Sequence, residues 1–259
     1  MSARGTLNSA VFNPGLYRNI LKLWFGHLPH PVSTVPYPVL VRWYGSEVSL
    51  EERTAFDAQC ASTGRDALES IEPGRYPLPQ SSNSSPEKSL SSKIAEPFLA
   101  QIFQSQDPAP EETALALMLL LDQLPRNCFR DNQKLIYTHY DRISRSLLSE
   151  ILDRGLDRHE RYRDSPPWCL WYYMALTHSE DLEDHKRCMD RLLSVKRRME
   201  QNGDAEAIGY VERNIGLEQR HNAILEKFGR YPHRNQTLGR ESTAEEKEYL
   251  EHGGETFGT

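Results

Sequence analysis

Glu112-Thr-Ala-Leu-Ala-Leu-Met-Leu-Leu-Leu-Asp-Gln-Leu124 is the stretch whose reading decides the fold. It is apolar on almost every side, so it has no polar face to leave in water. A helix of that kind belongs at the centre of a core, with other helices packed around it. It is too short to cross a bilayer, which takes about 20 apolar residues.

The flanking segments carry apolar residues at helical spacing. Ile20, Leu21, Leu23, Trp24 and Phe25 close a first amphipathic helix, stopped by Gly26 and the Pro29/Pro31 pair. Residues 50–62 read as an acidic helix carrying Phe56 and Ala61. Asp131 to Leu152 reads as a long helix with Leu135, Ile136, Tyr140, Ile143, Leu147, Leu148 and Ile151 inward and Gly155 as its stop. Pro166-Pro167 open an aromatic run, since a proline in a first turn lacks only an N–H that would be unpaired anyway. Residues 180–200 and 204–227 are two more amphipathic helices, separated by Asn202-Gly203. A last short helix follows Thr243, which with Glu246 fits a capping box. Val39-Leu-Val is the nearest approach to a strand and is too short for one. The expectation is an all-α protein, an antiparallel helical bundle forming a single helical domain over residues 1–259. The polar, Ser-rich residues 73–96 are read as a mobile surface insertion.

Of the 259 residues, 26% are charged and 38% hydrophobic, the composition of an ordinary globular protein. A net charge of -6 speaks against nucleic acid as a partner, which needs a basic face. No segment has the length of a membrane span, and Met1-Ser-Ala-Arg-Gly-Thr6 lacks the apolar core of a signal peptide. Cys60, Cys128, Cys169 and Cys188 are scattered without a CxxC pair. Reduced thiols and a cytoplasmic location are the expectation. Oligomeric state is left open, since no exposed apolar stripe stands out.

Polar chemistry concentrates in three motifs. The first is Asp122-Gln-Leu-Pro-Arg126-Asn127-Cys-Phe-Arg130, directly after the central helix. Pro125 is expected to turn the chain out of the helix there. Arg126 and Arg130 then either fork onto a carboxylate or phosphate or pair with Asp122 to cap the bundle. The second is His178-Ser-Glu180-Asp181-Leu, where Ser179 is read as a helix N-cap with two acidic residues behind it. His178 is expected to face inward, either as a neutral histidine bonded to a carboxylate or as a general acid/base. The third is Phe228-Gly-Arg230-Tyr-Pro-His233-Arg234-Asn235-Gln-Thr-Leu-Gly-Arg240, a loop dense in cations. His221 lies about two turns before Phe228 on the same inward face. His178, His221 and His233 have no metal-site spacing such as HExxH, so no metal is assigned. Asp181 and His185 are read as an i,i+4 pair on a solvated helix face.

Together these motifs resemble the bacterial and fungal family called domain of unknown function 924. That family's pattern has an N-terminal helix ending in Trp-Phe-Gly, here Trp24-Phe25-Gly26. It has Leu-Leu-Asp-Gln-x-Pro-Arg-Asn-x-x-Arg, here Leu120 to Arg130, and His-Ser-Glu-Asp-Leu, here His178 to Leu182. It ends in a His…Phe-Gly-Arg-(Phe/Tyr)-Pro-His-Arg-Asn motif, here His221 to Thr243 with its tail. The resemblance implies a tetratricopeptide-like superhelical fold and implies no reaction. The chain departs from the pattern at Ala175, where the family has proline nearby, at His185, where it has Gln, and in the Ser-rich stretch. Trp168, Trp171, Tyr172 and Tyr173 suggest a pocket adapted to a bulky, aromatic ligand; a repacked core is the other reading.

The functional expectation is a cofactor-independent enzyme acting on a small phenolic or anionic substrate by proton transfer, of isomerase, cyclase or lyase type. His233, His178, Glu180 and Arg234 are the candidate catalytic residues. Asp122, Arg126, Asn127, Arg130, His221, Arg230, Asn235, Arg240, Tyr173 and Trp171 are the candidate substrate contacts. The alternative is a non-catalytic helical-repeat module whose arginines clamp a peptide carboxylate. The two separate by whether the histidines line one closed pocket.

Overall fold

The computed structural model describes residues 7–44, 48–79 and 87–257, and every regular element among them is helical. Helix α1 (Pro14–Phe25) starts where the Asn13 side chain accepts the Leu16 N–H, and it stops at Gly26 with φ 59°. Helix α2 (Tyr37–Tyr44) contains the Val39-Leu-Val run, and the Trp43 indole N–H fixes it to α1 by donating to Trp24 O at 2.9 Å. Ser49 and Glu52 form a capping box at the head of α3 (Leu50–Ser70). Helix α4 (Glu87–Gln104) takes up part of the stretch expected to be loop. The reason is visible in the spacing: Leu90, Ile94, Phe98 and Ile102 recur every fourth residue and are all buried. Residues 80–86, the heart of the expected insertion, lie outside the described residues.

The central helix α5 (Pro110–Met118) begins on a proline, with the Glu112 carboxylate accepting the Ala109 N–H. From Ala114 to Leu121 every side chain is withdrawn from solvent. Pro125 does not end this helix, contrary to expectation. A proline inside a regular α-helix loses a hydrogen bond and collides with the preceding turn. Here that turn widens into a π segment (Leu119–Gln123), in which Leu124 N–H reaches back to Leu119 O, and the chain continues as α6 (Leu124–Cys128). Asp122 and Gln123 remain buried in the bulge. Gly64 lets α3 approach this point: a Cβ there would lie 2.5 Å from the Leu124 side chain and 3.1 Å from that of Leu120.

The next long helix repeats the device. Helix α7 (Gln133–Leu135) passes through a second π segment (Ile136–Tyr140) into α8 (Asp141–Arg154), which ends at left-handed Gly155. π segments of this kind recur at functional sites because they re-aim side chains out of the helical register.

The aromatic run folds as α9 (Pro166–Cys169), a 3₁₀ turn (Leu170–Tyr172) and α10 (Met174–Thr177). Asp181, rather than Ser179, caps α11 (Leu182–Asn202), its carboxylate accepting the Glu183 N–H. The two-residue turn at Gly203-Asp204 sends α12 (Ala205–Phe228) back antiparallel to α11. Helices α13 (Asn235–Leu238) and α14 (Ala244–Glu251) follow, the latter with the expected Thr243–Glu246 box.

His185 corrects the reading of a solvated pair with Asp181. It is buried in the α11–α12 seam, with Nδ1 2.6 Å from Glu218 Oε1 and Nε2 2.9 Å from Ser179 O. Hydrogen bonds to acceptors at both ring nitrogens hold it as an imidazolium. Burial pulls its pKa down, but Glu218 outweighs burial and holds it above the ordinary value. Among the described residues no helix is long and apolar enough to cross a membrane.

Candidate functional site

The two π segments face a cavity of about 930 Å³, open to solvent on one side and lined by α2, α3, the aromatic run, α12 and the C-terminal Thr256-Phe257. His178 and Asp122 form its chemical centre. His178 ends α10 and is held there by Arg234, whose NH1 donates to His178 O at 2.9 Å. The imidazole Nδ1 lies 3.0 Å from Asp122 Oδ1. The Gln123 amide donates to the other carboxylate oxygen at 2.5 Å. Burial pushes the Asp122 carboxyl up, but His178, Arg126 and Gln123 outweigh it and hold Asp122 below the usual carboxylate range. An ionised Asp122 accepts the Nδ1–H, so in the neutral ring it is Nε2 that offers its lone pair to the cavity. Among the described residues no hydrogen bond reaches Nε2.

Arg126 stands behind this pair. Its NH2 donates to Asp141 Oδ1 at 2.7 Å and lies 3.6 Å from Asp122 Oδ1. Arg234 is the contrasting cation. Its guanidinium lies between the Tyr137 and Tyr231 rings, 4.4 and 4.5 Å from their centroids. It is 5% exposed and makes no ion pair with a carboxylate among the described residues. Burial pulls its pKa below the ordinary arginine value. Arg42 is similar: its NH2 donates to Trp24 O, it lies over the Phe56 ring, and it has no ion pair among the described residues. Together these leave positive charge uncompensated at the cavity wall.

His221 contributes a neutral group. Its Nδ1–H donates to Leu217 O at 2.9 Å, and its ring stacks on Phe257. Burial pushes its pKa down to about 3. The opposite wall is aromatic. Trp171 packs edge-on against Trp24 and Trp43 at 4.9 and 5.0 Å, and Tyr44 stacks beside it.

Of the residues singled out from sequence, His178, His221, Arg234, Arg126, Asn127, Arg130 and Trp171 line this cavity, with Asp122 directly behind His178. Arg130 forks onto Asp57 through two 2.8 Å bonds, and Asn127 donates to the same carboxylate, so both are already matched within the protein.

The others are elsewhere. Glu180 accepts two bonds from Arg240 and one from the Tyr231 N–H, which fastens the C-terminal loop to the head of α11. Arg230 and Asn235 donate to Glu246 on α14. His233 packs beside Tyr231, off the cavity, with its pKa lowered to about 4 by burial and by Arg234. The three histidines therefore do not meet, and no group of potential metal ligands gathers among the described residues. The Tyr173 hydroxyl donates to Asp157 on another side of the fold. Trp168 stacks on Phe25, and Tyr172 donates to Glu111 O, so Trp171 is the one ring of its run that reaches the cavity.

Several groups escaped the sequence reading: Asp57, Tyr137, Arg42 and Phe257 on the cavity wall, and Asp141 behind Arg126. Gln123 lay inside the quoted motif, and its position beside Asp122 was the available signal. The rest come from other segments of the chain, Phe257 from outside any helix, and carry no local signature.

The chain is similar in structure to a protein of unknown function, ATU0120, from Agrobacterium tumefaciens. The TM-score is 0.56 and the identity 27%, over 95% of this chain and all of that one. No curated protein matches the chain. A family model described as bacterial protein of unknown function (DUF924) matches residues 20–254, nearly the whole chain, and the chain belongs to that family.

Proposed function

We propose that the cavity is an active site in which His178 moves a proton on a small phenolic or anionic substrate while Arg234 stabilises the negative charge that develops. The observation that carries this reading is the Asp122–His178 pair at 3.0 Å, with Nε2 unpartnered and an arginine without a carboxylate on the same wall. A histidine oriented by a buried carboxylate is the general-base arrangement. A fixed, partly dehydrated guanidinium suits a developing oxyanion, because it needs no reorganisation during the reaction. The aromatic wall gives an apolar substrate its binding surface.

These parts serve isomerisation, intramolecular cyclisation or the reverse elimination. In one such cyclisation Nε2 takes a phenol proton, and the phenolate oxygen adds to the β-carbon of an enone. The electron pair moves to the carbonyl oxygen beside Arg234, and the imidazolium returns its proton to the α-carbon. Atoms balance with no redox partner. Compared with the expectation from sequence, the base is His178 and its orienting acid Asp122; Glu180 and His233 act away from the reacting atoms.

The test is mass spectrometry of a pool of phenolic and carboxylic metabolites incubated with the wild type, His178→Gln and Arg234→Gln. A product made by the wild type and lost in both variants is the expected result. The unpaired cations Arg42 and Arg234 also support the second reading, a non-catalytic carboxylate binder. Retention of one unmodified ligand by the wild type and His178→Gln alike would favour it and sink the catalytic one.

A further inference from the structure

A second cavity, of about 420 Å³, has Tyr173 in its lining, whereas the neighbouring Met174 and Trp171 line the first. Its rim is arginine. Arg191 and Arg198 project from one face of α11 with Arg197 beside them, and Arg158 and Arg163 come from the segment between α8 and α9. Asp164 pairs with Arg163 and Arg198. Arg197 has no ion pair among the described residues.

The floor carries an unmet acceptor. The Asp157 side chain is wholly buried, and its Oδ2 accepts the Tyr173 hydroxyl at 3.1 Å. Its Oδ1 has no hydrogen-bond partner. The nearest guanidinium nitrogens, from Arg158 and Arg191, stand 3.8 Å from the carboxylate, too far to donate. The buried Arg163 Nε, on the same cavity, has the 3.6 Å ion pair with Asp164 and no hydrogen bond. Leaving such groups unpaired is costly, so this site is built to receive a donor at the floor and acceptors at the rim.

We infer that this cavity binds a phosphorylated polyol, with its phosphate on Arg191, Arg197 and Arg198 and a hydroxyl donating to Asp157 Oδ1. Several guanidiniums converging on one mouth match the many acceptor oxygens of a phosphate better than a single carboxylate. The donor at Asp157 is a neutral hydroxyl, because the surrounding arginines repel an ammonium. A volume of about 420 Å³ suits a small organic phosphate. The site is independent of the proposed proton-transfer centre.

The experiment is calorimetric titration of the full chain with glycerol 3-phosphate and with inorganic phosphate. Glycerol 3-phosphate should bind saturably and more tightly than inorganic phosphate. Arg197→Gln, an exposed substitution that leaves the helical circular dichroism intact, should weaken both by about tenfold, the loss of one charge-assisted contact. Asp157→Asn turns an amide NH₂ to the cavity, since the Tyr173 hydroxyl claims the amide oxygen. It should narrow the gap between the two ligands, because the hydroxyl exchanges a carboxylate for a neutral amide, while keeping or strengthening phosphate binding. Equal affinity in the wild type, no saturable binding, or binding unchanged by Arg197→Gln but lost in Arg234→Gln would each overturn the proposal.

Discussion

His178 Nδ1 and Asp122 Oδ1 lie 3.0 Å apart, one at the end of α10 and the other inside the first π segment. The contact sets which ring nitrogen carries the proton. In Asp122→Asn the amide can donate to Nδ1, so the proton moves to Nε2 and the cavity loses its base. Turnover should fall by about 10²–10⁴-fold with the helical signal retained. The ¹⁵N shifts of His178 report the tautomer without any substrate, and an unchanged tautomer would refute the assignment.

Glu180 and Arg240 should behave as structure. Two hydrogen bonds from Arg240 to Glu180, at 2.7 and 2.9 Å, anchor the C-terminal loop to the head of α11. Glu180→Gln breaks the fork but keeps an acceptor for the Tyr231 N–H. The expected cost is about 1–3 kcal/mol, between the values of exposed and buried pairs. It should appear as a lower urea midpoint with kcat preserved under native conditions. A collapse of kcat at unchanged stability would restore Glu180 to the chemistry.

Helical periodicity made the fold legible, because amphipathic spacing and capping residues are local: Gly26, Gly155, Thr243 and Glu246 all stand where the chain turns. Asp122, Arg126 and His178 were legible as chemistry because polar groups beside the most apolar helix need partners. Which partner each found was not. Asp57 meets Arg130, Asp141 meets Arg126 and Glu218 meets His185, in each case from another helix. The π segment at Leu119–Gln123 was also hidden. Pro125 signals a break, and whether a chain exits or widens by one residue there depends on packing such as that of Gly64.

Arg234→Lys is not a conservative change at this site. The guanidinium lies between two tyrosine rings and donates from a planar edge to His178 O. An ammonium is more strongly hydrated and cannot stack. Loss of one oxyanion donor typically costs about 10²–10³ in turnover, and Lys should recover little of what Gln loses. Near-wild-type kcat in Arg234→Lys would show that charge alone suffices.

The buried His185–Glu218 pair gives a test on the alkaline side. His185 is held above its ordinary value in the folded chain. Its stabilisation is therefore complete below about pH 6.5, the unfolded value, and is lost as pH rises through the folded one. The urea midpoint should decline with rising pH above neutrality. In His185→Gln that decline should be shallower; an identical slope would mean that His185 is neutral in the fold.

His221 and His233 act in the opposite sense. Burial holds them neutral, with folded values of about 3 and about 4. Below about pH 6.5 the unfolded chain takes up protons that the folded chain refuses, so stability falls with acidification. Each histidine contributes at most about 1.4 kcal/mol per pH unit. Asp141 and Asp157, whose pKa values burial raises, partly offset this by taking up protons in the folded state. A variant comparison separates the two contributions. His221→Gln keeps a donor for Leu217 O and removes the titration, so between pH 6.5 and 4.5 its unfolding free energy should fall less steeply, by up to one proton's worth. The absolute stability of the variant does not enter, because a constant loss shifts the curve without changing its slope. Parallel curves for the wild type and His221→Gln would show that His221 is protonated in the folded chain, and would remove it as a neutral acceptor in the cavity.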